Sequence, residues 1–302
     1  ISCIMRYAIT GGAGFIGNNI ARLLIENRHE VIILDNLHVG KKENLVDISE
    51  KIEFFKVDIR NKNKLELILK DIDGIFHEAA LTSVPESFKK PEEYREVNIL
   101  GTKNIFDIAL KHKIRVVFAS SSSIYGNTIQ IPIKEDFPKN PINPYGKTKL
   151  EDEILAESYS KKGLEVIGLR YFNVYGIGQT GSYAGVITKF MECVKMKKPL
   201  IIFGDGKQIR DFIYVKEIAD ANLSAMISDI EFGFFNIGTG VTTSITNLAN
   251  IIIKITKHKE GIQYSDSLEG DVGKSQADID LSTKKLKWKS NVSLEEGLKN
   301  LF

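Results

Sequence analysis

Short apolar segments rich in Ile, Val and Phe alternate along the first half of this chain with amphipathic segments of helical length. The apolar segments are RYAIT, EVIILD, IEFFKVD, GIFHEAA, RVVFASS and EVIGLRY, with helical patterns such as NNIARLLIEN and NKNKLELILK between them. Strands that are apolar on both faces suit a parallel sheet covered by helices on either side. The alternation therefore predicts an α/β fold with a Rossmann-type, doubly wound parallel sheet.

After about Tyr175 the alternation loosens, and glycines cluster in the stretch that follows. The sequence predicts helices near 186–197 and 216–228, strands near 200–203 and 233–237, and another helix after Thr246. We interpret residues 5–175 as the sheet domain and residues 176–302 as a smaller C-terminal α/β lobe, with a soft boundary and some crossing of the chain. A lobe at the carboxyl edge of a parallel sheet usually forms one wall of a ligand cleft.

The composition argues against several classes of partner. With 41 basic and 39 acidic residues among 302, the chain lacks the charge excess of a dedicated nucleic-acid binder. Two cysteines are too few for a disulfide framework, and five scattered histidines form no metal-binding pattern. No apolar run reaches membrane-spanning length, and the first residues lack the basic start and apolar stretch of a signal peptide. We therefore expect a cytoplasmic protein without nucleic-acid, metal or membrane partners.

The segment GGAGFIG follows the first predicted strand and opens the first predicted helix. Gly12, Gly14 and Gly17 match GxGxxG, and Gly11, Gly14 and Gly17 match the GxxGxxG variant. Small residues let the backbone approach a pyrophosphate, which then rests on the amides of the helix N-terminus. The second predicted strand ends at Asp35, near the ~20-residue spacing of an acid that binds the adenosine ribose. Because its charge would repel a 2′-phosphate, the sequence predicts NAD rather than NADP.

Two further strand ends supply candidate cofactor contacts. Asp58 and Ile59 end the third predicted strand, where a carboxylate and an apolar side chain suit an adenine ring. Ala79 and Ala80 follow the fourth strand and are small enough to let a dinucleotide cross the sheet edge. Each pair has a structural alternative, because Asp58 also suits a helix cap and the alanines also suit tight packing. The sequence leaves both interpretations open.

The segment NPYGKTK places Tyr145 four residues before Lys149. Asn143 is suited to cap a helix and Pro144 to its first turn. Residues four apart share one helix face, so the Lys149 ammonium can lie near the Tyr145 phenol and stabilise its phenolate. A tyrosine stabilised in this way acts as a base near neutral pH. The alternative is a surface tyrosine and lysine on an amphipathic helix.

The order of the motifs resembles that of one family. From Met5 onward the chain carries GGAGFIG, LDNLHVGKKENL, KVDIR, HEAALTSVPES, VNILGT, ASSSSIYG, NPYGKTK, LRYFNVYG, FGDGKQIRDFIYV and an EGDV segment. This order resembles the extended short-chain dehydrogenase/reductase family and, within it, the nucleotide-sugar 4-epimerases. The resemblance implies a domain that binds NAD, a C-terminal lobe that binds a UDP-sugar, and a homodimer.

The resemblance also implies a mechanism. Tyr145 is the base, Lys149 stabilises its phenolate and bonds the nicotinamide ribose, and Ser121 orients the sugar oxygen. NAD takes hydride from C4, the flat 4-keto sugar turns over, and the hydride returns to the opposite face. Ser121 is selected by its position four residues before Tyr125, although serines after a strand are also typical of a simple turn. The expected NAD contacts are Gly11, Gly14, Phe15, Ile16, Gly17, Asp35, Asn36, Asp58, Ile59, Ala79, Ala80, Thr82, Asn98, Tyr145, Lys149 and Tyr171.

One position of the serine cluster separates reaction classes. In related sugar-nucleotide dehydratases and decarboxylases, the second position before the tyrosine that follows this cluster is characteristically a glutamate that serves as a second acid or base. Here that position is Ser123, which does not titrate usefully. The resemblance therefore implies that oxidation at C4 is followed by return of the hydride, without elimination or decarboxylation.

The implied substrate contacts lie mainly in the C-terminal half. Asn173 and Arg210 resemble diphosphate-binding residues, although Arg210 also suits a salt bridge to Asp211 or another acid. Three apolar residues, Val186, Phe190 and Phe203, either flank the uracil or belong to the core. The expected substrate contacts are Ser83, Ser121, Ser122, Ser123, Tyr145, Asn173, Val186, Phe190, Phe203, Arg210, Asp271 and Ser275.

Two positions bear on the choice of substrate. Leu268 stands where the family usually has a second phosphate-binding arginine, and a leucine cannot neutralise phosphate. Ser275 stands where a tyrosine restricts the family's pocket to glucose and galactose, so its small side chain is expected to admit N-acetylated sugars. Alternatives are an epimerase or reductase acting on a UDP-uronate or a dTDP-sugar, or an idle NAD-binding regulator. The intact Tyr145 and Lys149 argue against the regulator.

Overall fold

The computed structural model describes residues 3–179, 185–267 and 272–302. The strands are β1 (Arg6–Thr10), β2 (Glu30–Asp35), β3 (Ile52–Lys56), β4 (Gly74–His77), β5 (Arg115–Ser121), β6 (Val166–Tyr171), β7 (Asn173–Tyr175), β8 (Leu200–Phe203), β9 (Ile209–Arg210), β10 (Phe212–Tyr214), β11 (Phe232–Ile237), β12 (Thr243–Ser244) and β13 (Ile262–Ser265). The α-helices are α1 (Phe15–Glu26), α2 (Lys62–Leu69), α3 (Val84–Lys89), α4 (Pro91–Tyr94), α5 (Gly101–His112), α6 (Pro144–Ser160), α7 (Val186–Lys195), α8 (Val215–Met226), α9 (Ile245–Thr256), α10 (Asp280–Leu286) and α11 (Leu294–Lys299). Short 3₁₀ helices span Lys42–Lys51 and Ser122–Tyr125, and a π-helical stretch spans Arg95–Leu100.

Within these described residues, seven parallel strands form one central sheet in the order β11-β6-β5-β4-β1-β2-β3. The chain winds outward from β1 to β3 and then crosses back to β4, which pairs with the other edge of β1. This reversal opens a crevice at the carboxyl ends of β1 and β4, the usual ligand site of a doubly wound sheet. The predicted α/β, Rossmann-type fold is confirmed.

The chain crosses back into this sheet after its excursion into the C-terminal region. The seventh strand is β11, which pairs with β6, and the preceding helix α8 packs on α1. The elements predicted near 200–203 and 233–237 are strands β8 and β11, and those predicted near 186–197 and 216–228 are helices α7 and α8. The division into domains 5–175 and 176–302 stays a prediction.

The sheet is apolar on both faces, as the sequence pattern requires. Successive strand residues point to opposite faces. Ile33 and Phe76 are buried under α1 and α8, while the preceding residues Ile32 and Ile75 are buried under α2, α5 and α6. Each such side chain contributes about 1.5–3 kcal/mol by its burial. Within the described part of the chain, no helix is long and apolar enough to cross a membrane.

A buried ion pair fixes helix α6 to the sheet. The Arg170 guanidinium on β6 donates from Nε and Nη2 to the two carboxylate oxygens of Glu153 on α6, each at 2.8 Å. Its Nη1 donates to the Tyr125 hydroxyl at 2.7 Å and to the Glu135 carbonyl at 2.9 Å. Because both charges are buried and hydrogen-bonded, the pair holds α6 in one position over the carboxyl end of the sheet.

Glu153→Ala should lower the free energy of unfolding by about 3–5 kcal/mol, because it leaves the Arg170 charge buried without its carboxylate. Urea unfolding measures this loss. Glu151→Ala is the matched control on the same helix, since its pair with Arg95 is half-exposed and is worth at most about 1 kcal/mol. Equal losses in the two variants would contradict the assigned role of the buried pair.

Candidate active site

The GGAGFIG segment forms a tight turn between β1 and α1. Gly11 has a φ of 69°, a left-handed conformation that favours glycine, and the Gly14 amide donates to the Gly11 carbonyl at 3.0 Å. A Cβ added to Gly17 would lie 2.4 Å from the Gly11 oxygen. Gly14 caps α1 without a side chain, and the first turn carries no acidic residue. The helix N-terminus is thus open to an anionic pyrophosphate.

Asp35 lies at the end of β2 and faces the glycine loop. Its carboxylate accepts hydrogen bonds from the backbone amides of Ala13 at 3.0 Å and Leu37 at 2.7 Å. Burial raises the pKa of Asp35, and these two amides oppose the rise. The amides therefore fix the carboxylate at the strand end, where the sequence predicts a contact with the adenosine ribose.

The Asp58 carboxylate is bonded by two neighbouring side chains. It accepts hydrogen bonds from the Arg60 guanidinium, with Nε and Nη2 each at 2.9 Å, and from the Asn36 amide at 3.0 Å. The hydrogen bond from Arg60 is the largest cause of the lowered pKa of Asp58. The alternative of a helix cap is wrong, because Asn61 caps α2. Ile59 and Arg60 line the cleft, and the contact of Asp58 with the adenine ring stays a prediction.

The loop after β4 forms the middle of the cleft, where Ala79, Ala80 and Thr82 line the wall. Asn98 lies behind this wall and is fully buried. Its side chain bonds both backbone groups of Leu81, at 2.8 and 3.0 Å, and the Thr148 hydroxyl at 3.0 Å. Asn98 therefore orients the loop from the opposite side.

Tyr145 and Lys149 lie on the first turns of α6 and both line the cleft. Asn143 caps the helix, since its side chain accepts the Gly146 amide at 2.7 Å, and Pro144 opens the first turn. A Cβ on Gly146 would lie 2.8 Å from the Ser123 carbonyl, so glycine allows α6 to approach the end of β5. The Lys149 side chain is buried, and its Nζ lies 3.3 Å from the Asp152 carboxylate.

Ser120 and Ser121 both line the cleft at the end of β5, and Ser120 is the more deeply buried of the two. The Ser121 hydroxyl lies 2.6 Å from the Ser123 hydroxyl and also accepts the Ser123 amide at 3.2 Å. Ser122 and Ser123 belong to the 3₁₀ helix after β5 and do not contribute to the described cleft wall. The structure thus brings Ser121, Tyr145 and Lys149 to one cleft.

The cleft is a single crevice of about 340 Å³ along the carboxyl edge of the sheet. The predicted residues that line it are Gly11, Gly14, Phe15, Ile16, Gly17, Asp35, Asn36, Ile59, Ala79, Ala80, Thr82, Ser121, Tyr145, Lys149 and Tyr171. Lining residues that the sequence analysis missed include His38, Val39, Gly40, Asn44, Arg60, Glu78, Glu93, Val97, Gly178 and Gln179. Most of them follow a strand that was predicted correctly, so their position after a strand end was the available signal.

Glu78 is the missed residue with the most unusual surroundings. Its Oε1 accepts a hydrogen bond from the Tyr171 hydroxyl at 3.0 Å, and Tyr171 in turn accepts one from the Asn222 amide at 2.7 Å. Burial raises the pKa of Glu78 to about 7, while Tyr171 and Lys149 oppose the rise. The far end of the cleft therefore rests on a buried polar network rather than on an apolar floor.

The predicted substrate residues of the C-terminal lobe lie apart from this cleft wall. Arg210 on β9 is nearly buried, and the Ser275 amide donates to the neighbouring Ile209 carbonyl at 3.1 Å. The Asp211 carboxylate accepts the amides of Thr239, Gly240 and Ala277, so the alternative salt bridge from Arg210 to Asp211 is absent from the described contacts. The segment of Ser275 is thus held by a backbone hydrogen bond to the residue before Arg210.

The remaining predicted substrate residues occupy varied environments. Phe190 is 1% exposed in the apolar core of α7, α9 and β8, so it belongs to the core rather than to a uracil site. Val186 begins α7, Phe203 ends β8 and Asn173 begins β7, and all three are half-buried. Ser83 caps α3 by accepting the Glu86 amide at 3.3 Å. Asp271 and Leu268 lie outside the described residues.

The residues of the cleft fit a dinucleotide. The absence of a Cβ at Gly17 lets α1 begin close against the Gly11–Gly12 backbone, the first turn of α1 carries no acidic residue, and Asp35 lies at the adjacent strand end. Among the described residues, no group of three or more His, Cys, Asp or Glu side chains could hold a metal ion. The fold and the cleft define a dinucleotide-binding enzyme with a Tyr–Lys pair at the far end of its cofactor site.

The chain belongs to the NAD dependent epimerase/dehydratase family, whose sequence profile matches residues 7–238. The predicted family and the predicted cofactor, NAD, are confirmed. The chain is 42% identical over 302 residues to a putative UDP-glucose 4-epimerase of Methanocaldococcus jannaschii, covering 97% of this chain and 96% of the relative. It is also 34% identical to a UDP-N-acetyl-alpha-D-glucosaminuronate decarboxylase of Bacillus cytotoxicus, covering 97% and 95%.

A solved structure with the same fold is the UDP-N-acetylglucosamine 4-epimerase of Methanobrevibacter ruminantium in complex with UDP-N-acetylmuramic acid. It superposes with a TM-score of 0.95 at 38% sequence identity and covers 99% of this chain and 97% of that one. At this identity and coverage the likeness extends over both lobes.

Gly17→Ala should weaken NAD binding at least about tenfold, or about 1.4 kcal/mol, because the new Cβ would clash with the Gly11 oxygen and displace the loop. Titration calorimetry on cofactor-free protein measures the affinity. Gly273→Ala is the matched control, because its Cβ would meet no atom of a described residue within 4 Å. NAD affinity in Gly17→Ala equal to that of the control would contradict the assigned pyrophosphate site.

Proposed function

We propose that this protein is a UDP-hexose 4-epimerase, which inverts C4 through a transient 4-keto sugar. The observation that carries the proposal is the grouping of Tyr145, Lys149 and Ser121 on the cleft that the glycine turn also lines. Removal and return of a hydroxyl proton require a base, a positive charge that stabilises the deprotonated base, and a hydroxyl group that orients the reacting oxygen. The family membership and the 4-epimerase names of relatives support the same reaction.

Each residue of this group has a distinct part in the proposed reaction. Tyr145 takes the proton of the 4-hydroxyl and returns it to the same oxygen after the configuration at C4 has inverted. Lys149, buried beside it, stabilises the phenolate by its positive charge. Ser121 orients the sugar oxygen with the hydroxyl that also bonds Ser123. Bound NAD supplies a reversible hydride acceptor, so the overall reaction has no net redox change.

Ser123 favours epimerisation over elimination. A dehydratase or decarboxylase needs a second acid or base near the sugar. The Ser123 hydroxyl lies 2.6 Å from the Ser121 hydroxyl. Because serine has no carboxylate, it cannot serve as this second acid or base. A decarboxylase acting on a UDP-uronate is the second candidate, favoured by the 34% identical relative of that name. Release of carbon dioxide from a UDP-uronate, with no epimer formed from any UDP-hexose, would select it.

The substrate range is proposed to include UDP-GlcNAc and UDP-GalNAc as well as UDP-Glc and UDP-Gal. Ser275 is small, so it leaves room for a 2-acetamido group. The similar enzyme of known structure is named for UDP-GlcNAc and was solved with another N-acetylated sugar nucleotide. Asn173 and Arg210 are the proposed diphosphate contacts, and Asp271 completes the proposed set.

The proposed assembly is a homodimer. Three apolar side chains with large exposed fractions lie on elements that pack together: Phe88 on α3, Leu100 at the end of the π-helical stretch and Ile154 on α6. An apolar surface of this kind suits a second copy of the same chain.

The cytoplasmic location also stays a prediction.

Tyr145→Phe should lower the rate of 4-epimerisation by a factor of about 100 or more while NAD stays bound, because only the phenolic oxygen is removed. The assay incubates the protein with UDP-Glc and separately with UDP-GlcNAc and resolves the epimers. Tyr264→Phe, at an exposed position, is the control and should retain full activity. Near-normal turnover by Tyr145→Phe would reject Tyr145 as the base.

Ser275→Tyr should depress kcat/KM for UDP-GlcNAc at least about tenfold more than for UDP-Glc, because a large side chain would occupy the space of the acetamido group. UDP-Glc turnover serves as the internal control for folding, and Ser275→Ala should leave both substrates unaffected. Equal losses on the two substrates would remove the argument for N-acetylated sugars.

A further inference from the structure

Asp152 lies directly beneath the proposed base and is fully buried. It follows Lys149 by three residues on α6, and its Oδ2 lies 3.3 Å from the Lys149 Nζ. The proposed reaction assigns no part to this carboxylate. A buried carboxylate on the face of a helix is costly unless another group stabilises it.

Neutral polar side chains lie behind Asp152. Its Oδ1 is buried without a hydrogen-bond partner among the described residues, and the neighbouring Thr102 side chain favours the charged form of the carboxylate. The Thr102 hydroxyl lies 2.9 Å from His77 Nε2, and His77 Nδ1 lies 2.7 Å from the Thr10 hydroxyl. Burial, aided by the Lys149 charge, lowers the pKa of His77 to about 3. The groups behind Asp152 are therefore polar and neutral, and they do not cancel its charge.

Three other ionisable groups, Glu151, Glu78 and Tyr145, act on the Lys149–Asp152 pair or lie beside it. On α6, Glu151 acts on Asp152 but points outward to Arg95, at 2.7 Å. From β4, the buried carboxyl of Glu78 feels the Lys149 charge. Tyr145 completes the group on the cleft side of α6. Among these groups, Asp152 is the carboxylate in direct contact with the Lys149 ammonium.

We propose that Asp152 is a positioning residue for the Tyr145–Lys149 base: its buried carboxylate, 3.3 Å from the Lys149 ammonium, holds that ammonium in place and sets the pH range in which the base works. The proposal rests on the catalytic roles proposed for Tyr145 and Lys149. It adds a residue that touches neither substrate nor cofactor and acts through Lys149 alone.

The sign of the effect follows from electrostatics. A negative charge favours the protonated form of each neighbouring group, so removing it favours deprotonation of both members of the Tyr145–Lys149 pair. Interacting groups titrate in two macroscopic steps that belong to the pair. Loss of the Asp152 charge must therefore move both limbs of the pH–rate profile to lower pH, whichever member loses its proton first.

The two limbs should not move equally. Burial raises the pKa of Asp152 to about 7, although Lys149 opposes the rise. Above that pH the carboxylate is charged, and below it the group becomes neutral. The alkaline limb lies where Asp152 is charged, so it should shift by the effect of the full charge. The acid limb lies where Asp152 is partly neutral, so it should shift by only part of that effect.

The test is the pH dependence of kcat for Asp152→Asn, which keeps the shape of the side chain and removes its charge. The alkaline limb should move to lower pH by about 1 unit or more, and the acid limb by less. Glu151→Gln, which removes one charge from the adjacent exposed position, is the matched control and should leave the profile in place. Asp152→Glu restores the charge and should bring both limbs back toward the wild-type positions.

Two further measurements keep the outcomes distinct. If Asp152→Asn does not fold, Asp152→Ser should shift the profile in the same direction, because it also removes the charge. The phenolate absorbance of Tyr145, taken as the difference from Tyr145→Phe during a pH titration, should shift likewise without any turnover. An unmoved profile and an unmoved phenolate in Asp152→Asn would overturn this inference, whereas an active Tyr145→Phe would overturn the proposed base itself.

Discussion

The site depends on one constraint of the fold: parallel strands that all end on the same edge of the sheet. Because the winding reverses between β1 and β4, the helices on either side diverge there and leave a crevice. The glycine turn after β1 and the Tyr145–Lys149 pair of α6 both line this crevice. Close backbone approaches at Gly17 and Gly146 fix these two parts of the wall, since any Cβ there would displace its neighbour.

The second requirement is that α6 stays in position over β5. The buried Arg170–Glu153 pair fixes the helix to β6, and the Asn143 cap fixes its first turn. The third contact is Asp152, whose buried carboxylate lies 3.3 Å from the Lys149 ammonium. Three buried polar contacts therefore surround a base that itself remains open to the cleft, an arrangement that restricts Lys149 before any ligand arrives.

The parts of this account that the sequence predicted are those with local signals. The strand alternation, the glycine turn, the Asn143 cap and the four-residue spacing of Tyr145 and Lys149 each need only neighbouring residues. From these features the main helices and strands were predicted correctly, and so were many of the residues that line the cleft.

The parts that the sequence did not predict depend on contacts between distant or competing residues. Asp58 bonds Arg60 and does not cap α2, because a guanidinium two residues away offers it two hydrogen bonds and Asn61 supplies the cap. Phe190 lies in the core because α9 and β8 cover it, which its own segment does not reveal. Strand β11 was predicted as a strand, yet its pairing with β6 joins residues far apart in the chain. In the sequence, Asp152 is one of several charged residues on a predicted helix. Its burial follows from the packing of α5 against α6, which the sequence of this helix does not reveal.

The central claim is that hydrogen leaves and returns to C4 within one enclosed site while Tyr145 handles only the hydroxyl proton. Turnover of UDP-Glc that carries deuterium at C4 tests it most directly, with the label in the recovered epimer measured by mass spectrometry. The account predicts that the deuterium is retained at C4 of the product and that none is lost to water. Loss of the label to solvent would contradict it, because the hydrogen would then have left carbon as a proton.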